Sequence, residues 1–173
     1  MYEHADDLTR WFADQLDDAS DVRIERLDRN ERGHSAETLL LTLVWHSHAA
    51  AGRPEERSAD VVLRIRPPKP GLLEPYDLGR QFDILRALEA TPVRSPKALW
   101  YEPSGAVLDR AFYVMGRSPG NVYERGVPAE VAADGALIRR MSEGIAEQLA
   151  AIHTVDLVAT GLDRLGAGSG FVE

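Results

Sequence analysis

At 173 residues, with 44% hydrophobic and 28% charged side chains, the chain has the make-up of a folded globular protein of one domain and a partial second. Its formal net charge of −8 argues against nonspecific nucleic-acid binding, and the lack of cysteine excludes disulfides, thiolate chemistry and cysteine-based metal sites. The acidic, amphipathic N-terminus has no signal-like apolar core and no run is long enough to span a bilayer, so a cytoplasmic protein without a membrane partner is expected.

From about Glu3 to Asp17, the residues Leu8, Trp11, Phe12 and Leu16 recur at helical spacing and predict a packing helix. A short strand is expected from Val22 to Leu27, followed by a charged turn from Asp28 to Gly33. Gly33 can adopt backbone angles closed to other residues, and His34, Ser35 and Thr38 add donors nearby; the loop is either an ordinary hairpin connection or a phosphate cradle. Thr38 to Trp45 reads as a strand buried on much of both faces. His46 to Ser58 reads as a long, polar, mobile connection, and its His46 and His48 have no local third ligand, so no metal site is expected. Between Ala59 and Arg66 side chains alternate, with Val61, Leu63 and Ile65 on one face and Val62, Arg64 and Arg66 on the other. The apolar face can take a helix. The charged face either solubilises an exposed edge or meets an anionic ligand.

Prolines from Pro67 to Pro70 stop this strand, and a helix follows from Asp77, a plausible N-cap, to Ala90. Its apolar stripe is Leu78, Phe82, Leu85 and Leu88, and Gln81 shares that face. Ala98 to Tyr101 and Ala111 to Met115 are strands separated by a turn at Glu102–Gly105. The glycines and proline of Gly116–Gly120 mark a linker. Beyond it, Pro128 and Glu130 favour a helical start, and a long helix is expected from Asp134 to His153, with Leu137, Met141, Ile145, Leu149 and Ile152 on its inner face. His153 suits the negative end of that helix better than it suits catalysis. The glycine-rich stretch from Gly161 to Gly170 reads as a loose tail.

Five blocks, in this order, carry a resemblance: GHSAETLL from Gly33, VLRIRPP from Val62, DLGRQFDILRAL from Asp77, AFYVM from Ala111 and LAAIHTVD from Leu149. Together they resemble the aminoglycoside phosphotransferase and choline kinase-like family, nearest the branch related to phosphotransferases fused to acyl-CoA dehydrogenases. The resemblance implies an α+β chain: a protein-kinase-like small lobe of five antiparallel strands with a packed helix, followed by the first helices of the large lobe. It divides the chain into an N-terminal lobe with its leading helix over 1–115, a hinge over 116–120 and an incomplete helical lobe over 121–173. ATP would bind between the lobes. By matching position, Gly33, His34 and Ser35 would cover phosphates, Arg64 would hold the α- and β-phosphates, and Val62 would form the adenine ceiling. Met115 would back the adenine pocket, and the main chain of Gly116 and Ser118 would pair with the base edge.

Two positions depart from the family pattern. The helix glutamate that usually pairs with the strand cation is matched here by Gln81, which can hydrogen-bond to Arg64 but cannot neutralise it. The often acidic residue after Met115 is Gly116. The family's His-Gly-Asp catalytic block and its later magnesium-binding aspartate are not in these residues, so no catalytic and no metal-ligating residue is assigned and Mg2+ is expected only in a full-length protein. The resulting expectation is the nucleotide-binding part of an ATP-dependent small-molecule phosphotransferase, inactive by itself, whose full-length form acts on a small-molecule hydroxyl. The alternative is a noncatalytic, kinase-like binding or assembly module that self-associates through the apolar faces of Leu137, Met141 and Leu149.

Overall fold

A computed structural model describes residues 2–30, 36–48, 54–68, 76–123 and 125–166. The chain falls into two compact units, Met1–Asp83 with Pro96–Arg117, and Ile84–Ser95 with Ser118–Glu173.

The first unit is built on one antiparallel sheet. Its strands are β1 (Ala19–Asn30), β2 (Glu37–Ser47), β3 (Glu55–Ile65), β4 (Ala98–Glu102) and β5 (Phe112–Gly116), in spatial order β1-β2-β3-β5-β4. The Ala59–Arg66 stretch therefore belongs to a central strand, which removes the exposed-edge reading of Arg64. Cross-strand register fixes two faces, because directly opposed residues point the same way. Leu39, Leu63 and Val114 form one row, and Thr38, Arg64, Tyr113 and Tyr101 form a row on the other face.

The expected alternation in β3 is present: Val61, Leu63 and Ile65 are fully buried in the main core with Leu39, Leu41, Leu43, Phe112 and Val114. The helix that covers this face is α1 (Ala5–Gln15), through Leu8 and Phe12. Trp11 meets Phe112 and Trp100 edge to face, with ring centroids 4.9 and 6.3 Å apart. The second helix, α2 (Leu78–Leu88), begins on the opposite side: Phe82 stacks on Tyr101 at 5.6 Å and lies 6.1 Å from Tyr113. Asp77 caps it as expected, its Oδ1 accepting from Arg80 N at 2.9 Å. α1 thus packs on one face of the sheet, and the start of α2 meets the other through Phe82.

Three strands extend beyond the sequence reading. β1 is twice the length expected, β2 reaches Ser47, and β3 starts at Glu55, so the connection between them shrinks to residues 48–54. The extra turns of strand are polar. Arg23 pairs with Glu56 at 3.0 Å and Arg26 with Asp28 at 2.6 Å, so charge pairing replaces the apolar alternation that marks a strand in sequence. His46 lies on β2 with Nδ1 3.2 Å from Asp21, and His48 Nε2 is 2.7 Å from Ser20 Oγ. Among the described residues no group of three or more His, Asp or Glu side chains could hold a metal ion.

The β4–β5 turn is organised by Glu102, the one buried charged side chain among the described residues. Its carboxylate accepts from Ser104 N and Gly105 N, both at 2.9 Å, and from the Ser104 hydroxyl. Gly105 sits at φ +79°, and a Cβ there would lie 3.1 Å from Arg110 N, so both the backbone angle and the space require glycine.

The second unit is helical. It contains the later part of α2, then α3 (Ala129–Ala133), α4 (Gly135–His153), α5 (Leu157–Thr160) and a 3-10 turn at Leu162–Leu165. Asp134 caps α4 by accepting from Leu137 N at 2.9 Å, and His153 occupies its last turn. Gln148 Oε1, on α4, accepts from Arg94 N at 2.8 Å. The tail expected to be loose from Gly161 instead begins with that 3-10 turn at Leu162–Leu165. Asp156 caps α5 through Val158 N and Ala159 N, and Gly161, at φ +72°, ends it in the left-handed region. Residues 167–173 of that tail lie outside the described residues.

Candidate functional site

The loop residues Gly33, His34 and Ser35 lie outside the described residues, but both ends of their loop are held. Asn30 pairs with Thr38 at the close of the β1–β2 ladder. Glu37, largely buried, reaches Arg110 at 2.6 Å and Arg29 at 3.4 Å. Arg110 Nη1 also donates to Arg66 O at 3.0 Å. One carboxylate thereby ties the stem of the loop to the end of the strand that carries Arg64.

Arg64 is central to the face opposite α1. It is half-buried, opposed by Thr38 on β2 and by Tyr113 on β5. Its Nη2 donates to Tyr76 Oη at 3.2 Å, while its Nε is buried and has no hydrogen-bond partner among the described residues. No carboxylate of the described residues pairs with it. Gln81, half-buried on the first turns of α2, makes no hydrogen bond to Arg64; the hydroxyl of Tyr76 takes that place. Burial pushes the Tyr113 phenol above its ordinary pKa; the Arg64 guanidinium pulls it down, and Tyr76 adds a smaller upward push. The row is therefore an aromatic, partly dry surface with one fixed cation on it.

Val62 and Met115 are direct cross-strand partners, two residues along from the Arg64–Tyr113 pair, so they share its face. Val62 is buried and Met115 half-buried. Gly116 ends β5, and its N–H donates to Lys97 O at 2.9 Å; the next N–H, of Arg117, donates to Asp60 O at 3.0 Å. Ser118 is exposed and belongs to the second unit. Of the residues singled out in the sequence, the structure brings Val62, Arg64 and Met115 onto one face. Tyr76 was missed. A lone tyrosine outside any periodic run carries no signal; the hint was its place immediately before the Asp77 cap.

Comparison with known proteins supplies the context for this arrangement. Residues 49–172 match the model of a family described as "Phosphotransferase enzyme family". Acyl-CoA dehydrogenase family member 11 of Rattus norvegicus is 30% identical over 118 residues, which cover 68% of this chain and 15% of that protein. Acyl-CoA dehydrogenase family member 10 of Mus musculus is 29% identical over 118 residues, covering 67% of this chain and 11% of that protein. The chain thus spans a small part of the length of these curated relatives. A crystal structure of a candidate aminoglycoside phosphotransferase from Ralstonia eutropha aligns with a TM-score of 0.60 at 24% identity, over 93% of this chain and 41% of that one. That likeness concerns the fold: a five-stranded antiparallel sheet with helices, the small lobe of a kinase-like protein. On this family match, the chain belongs to the phosphotransferase enzyme family.

Proposed function

We propose that this chain is the nucleotide-binding part of an ATP-dependent small-molecule phosphotransferase. The observation that carries the reading is Arg64: a guanidinium on the central strand, half-buried beside aromatic rings, with a buried Nε that no described residue satisfies. A buried guanidinium N–H without an acceptor is costly until an anion's oxygen reaches it. The planar guanidinium also offers several N–H donors in a fork that matches phosphate oxygens. A nucleotide would lay its α- and β-phosphates against Arg64 beneath the Gly33, His34 and Ser35 loop. Its adenine would lie against Val62 and Met115. The N–H of Gly116 is taken by Lys97, so pairing of Gly116 with the base edge falls to its carbonyl.

Mg2+ would accompany the nucleotide in a full-length protein. The phosphate acceptor would be a small-molecule hydroxyl in a cytoplasmic setting; among the described residues no helix is long and apolar enough to cross a membrane. These residues would position the nucleotide and offset its charge. Calorimetric titration of ATP into the wild-type chain and into Arg64→Ala tests this. The expected result is measurable binding that the substitution weakens roughly tenfold or more, the range for a charged hydrogen bond. Binding that Arg64→Ala leaves unchanged refutes the role given to Arg64.

A second reading has its own observation. Ile145, Leu149 and Ile152 form a stripe on α4 and are 64, 51 and 52% exposed. An apolar stripe of this kind favours burial against another surface, so the chain by itself would serve as an assembly module.

A further inference from the structure

We propose that Tyr76 is a positioning residue for the phosphate site. It holds the Arg64 guanidinium by a hydrogen bond to a neutral hydroxyl, where the resemblance leads one to expect a carboxylate partner. The inference rests on the nucleotide reading above and adds to it a residue that neither the sequence motifs nor the family match singles out.

The geometry has three parts. First, Tyr76 is itself fixed: it is 8% exposed and directly precedes Asp77, whose side chain caps α2, while the next residues along the helix face, Leu78 and Phe82, are buried. Second, the bond is directional. Arg64 Nη2 donates to Tyr76 Oη at 3.2 Å, which orients the end of a long, rotatable side chain whose stem lies beside Tyr113. Third, Gln81 leaves the guanidinium alone and no described carboxylate pairs with it, so a phenol is what steers the cation.

The choice of a phenol has a chemical consequence. A carboxylate partner both orients a guanidinium and cancels its charge. A neutral hydroxyl orients it and leaves the full positive charge for the ligand. An incoming polyphosphate then has no resident anion to displace, and the buried Nε and the remaining Nη donors of Arg64 are free to turn to its oxygens. Loss of the hydroxyl would release the guanidinium into several rotamers. The cost would fall on ligands that carry phosphates and spare the nucleoside.

The test uses the full chain in three forms, wild type, Tyr76→Phe and Arg64→Ala, titrated separately with ATP and with adenosine. The Phe substitution keeps the buried ring and removes one oxygen. The expected result is a loss of ATP affinity of about three- to tenfold in Tyr76→Phe, somewhat less than the full worth of a charged hydrogen bond, with adenosine affinity unchanged. In parallel, the 15N resonances of the Arg64 side chain are followed by NMR. Removal of the hydroxyl should shift them and speed rotation of the guanidinium. If Tyr76→Phe matches wild type in ATP affinity or in the Arg64 resonances while Arg64→Ala loses ATP binding, the positioning role is overturned and the nucleotide reading stands. If Arg64→Ala also matches wild type, or wild type binds no ATP, the nucleotide reading fails and takes the proposal with it.

Discussion

Phe12→Ala tests whether the leading helix is an integral layer of the sheet. Phe12 is fully buried, and its ring lies 5.9 Å from Trp100 and 5.2 Å from Trp11, so the substitution empties a site enclosed by the sheet on one side and by its own helix on the other. Deleting a fully enclosed phenyl group costs about 3–5 kcal/mol through lost transfer free energy and the cavity left behind. Against a typical total of roughly 5–15 kcal/mol, that is a large fraction. With a urea slope of roughly 2 kcal/mol/M, the midpoint should fall by about 2 M. Phe12→Leu, which refills most of the volume, should cost only about 1–1.5 kcal/mol and provides a folded control. Because Phe12 lies behind the sheet and Arg64 in front of it, ATP affinity should persist wherever the variant is folded. A midpoint shift corresponding to less than about 1 kcal/mol, with an unchanged slope, would refute the argument that α1 closes the core.

Glu102→Gln should destabilise the chain by about 1–3 kcal/mol in thermal melts, because the amide NH2 that replaces one carboxylate oxygen sets a donor against a backbone N–H. A melting temperature equal to wild type would remove the turn from the account. The tyrosine contribution to stability should be constant up to about pH 10 and then fall: burial raises the Tyr113 phenol above 10.0 in the folded state, so the folded form holds its proton after the unfolded form has lost it. Tyr2 and Tyr101 are raised in the same direction, so Tyr113→Phe should reduce that alkaline slope without abolishing it, as read from urea midpoints across pH. If the α4 stripe drives assembly, light scattering should detect concentration-dependent association that Leu149→Glu reduces; a clean wild-type monomer at high concentration removes that reading.

The parts of the fold that were legible in the sequence are those where burial imposes a period. Val61, Leu63 and Ile65 in β3, Leu8 and Phe12 in α1, and the Asp77 cap all stand where spacing and chemistry put them. Strand ends were not legible, because Glu55–Ser58 and Asp28–Asn30 pair through charges and backbone with no apolar alternation to read. Nor did the sequence tell which helix covers which face. That depends on strand order, which sets β5 between β3 and β4 and carries Tyr113 and Tyr101 to the side where Phe82 lands. The site divides in the same way. Arg64 is visible because a cation interrupts an apolar strand. Tyr76 is not, since only the folded chain sets its hydroxyl against Arg64.

The central claim is that the Arg64 face receives a polyphosphate. A crystal structure of the chain with a non-hydrolysable ATP analogue tests it most directly. The account predicts an α- or β-phosphate oxygen within about 3 Å of the Arg64 guanidinium, with the purine against Val62 and Met115. An analogue bound elsewhere, with no phosphate oxygen in reach of that guanidinium, would contradict it.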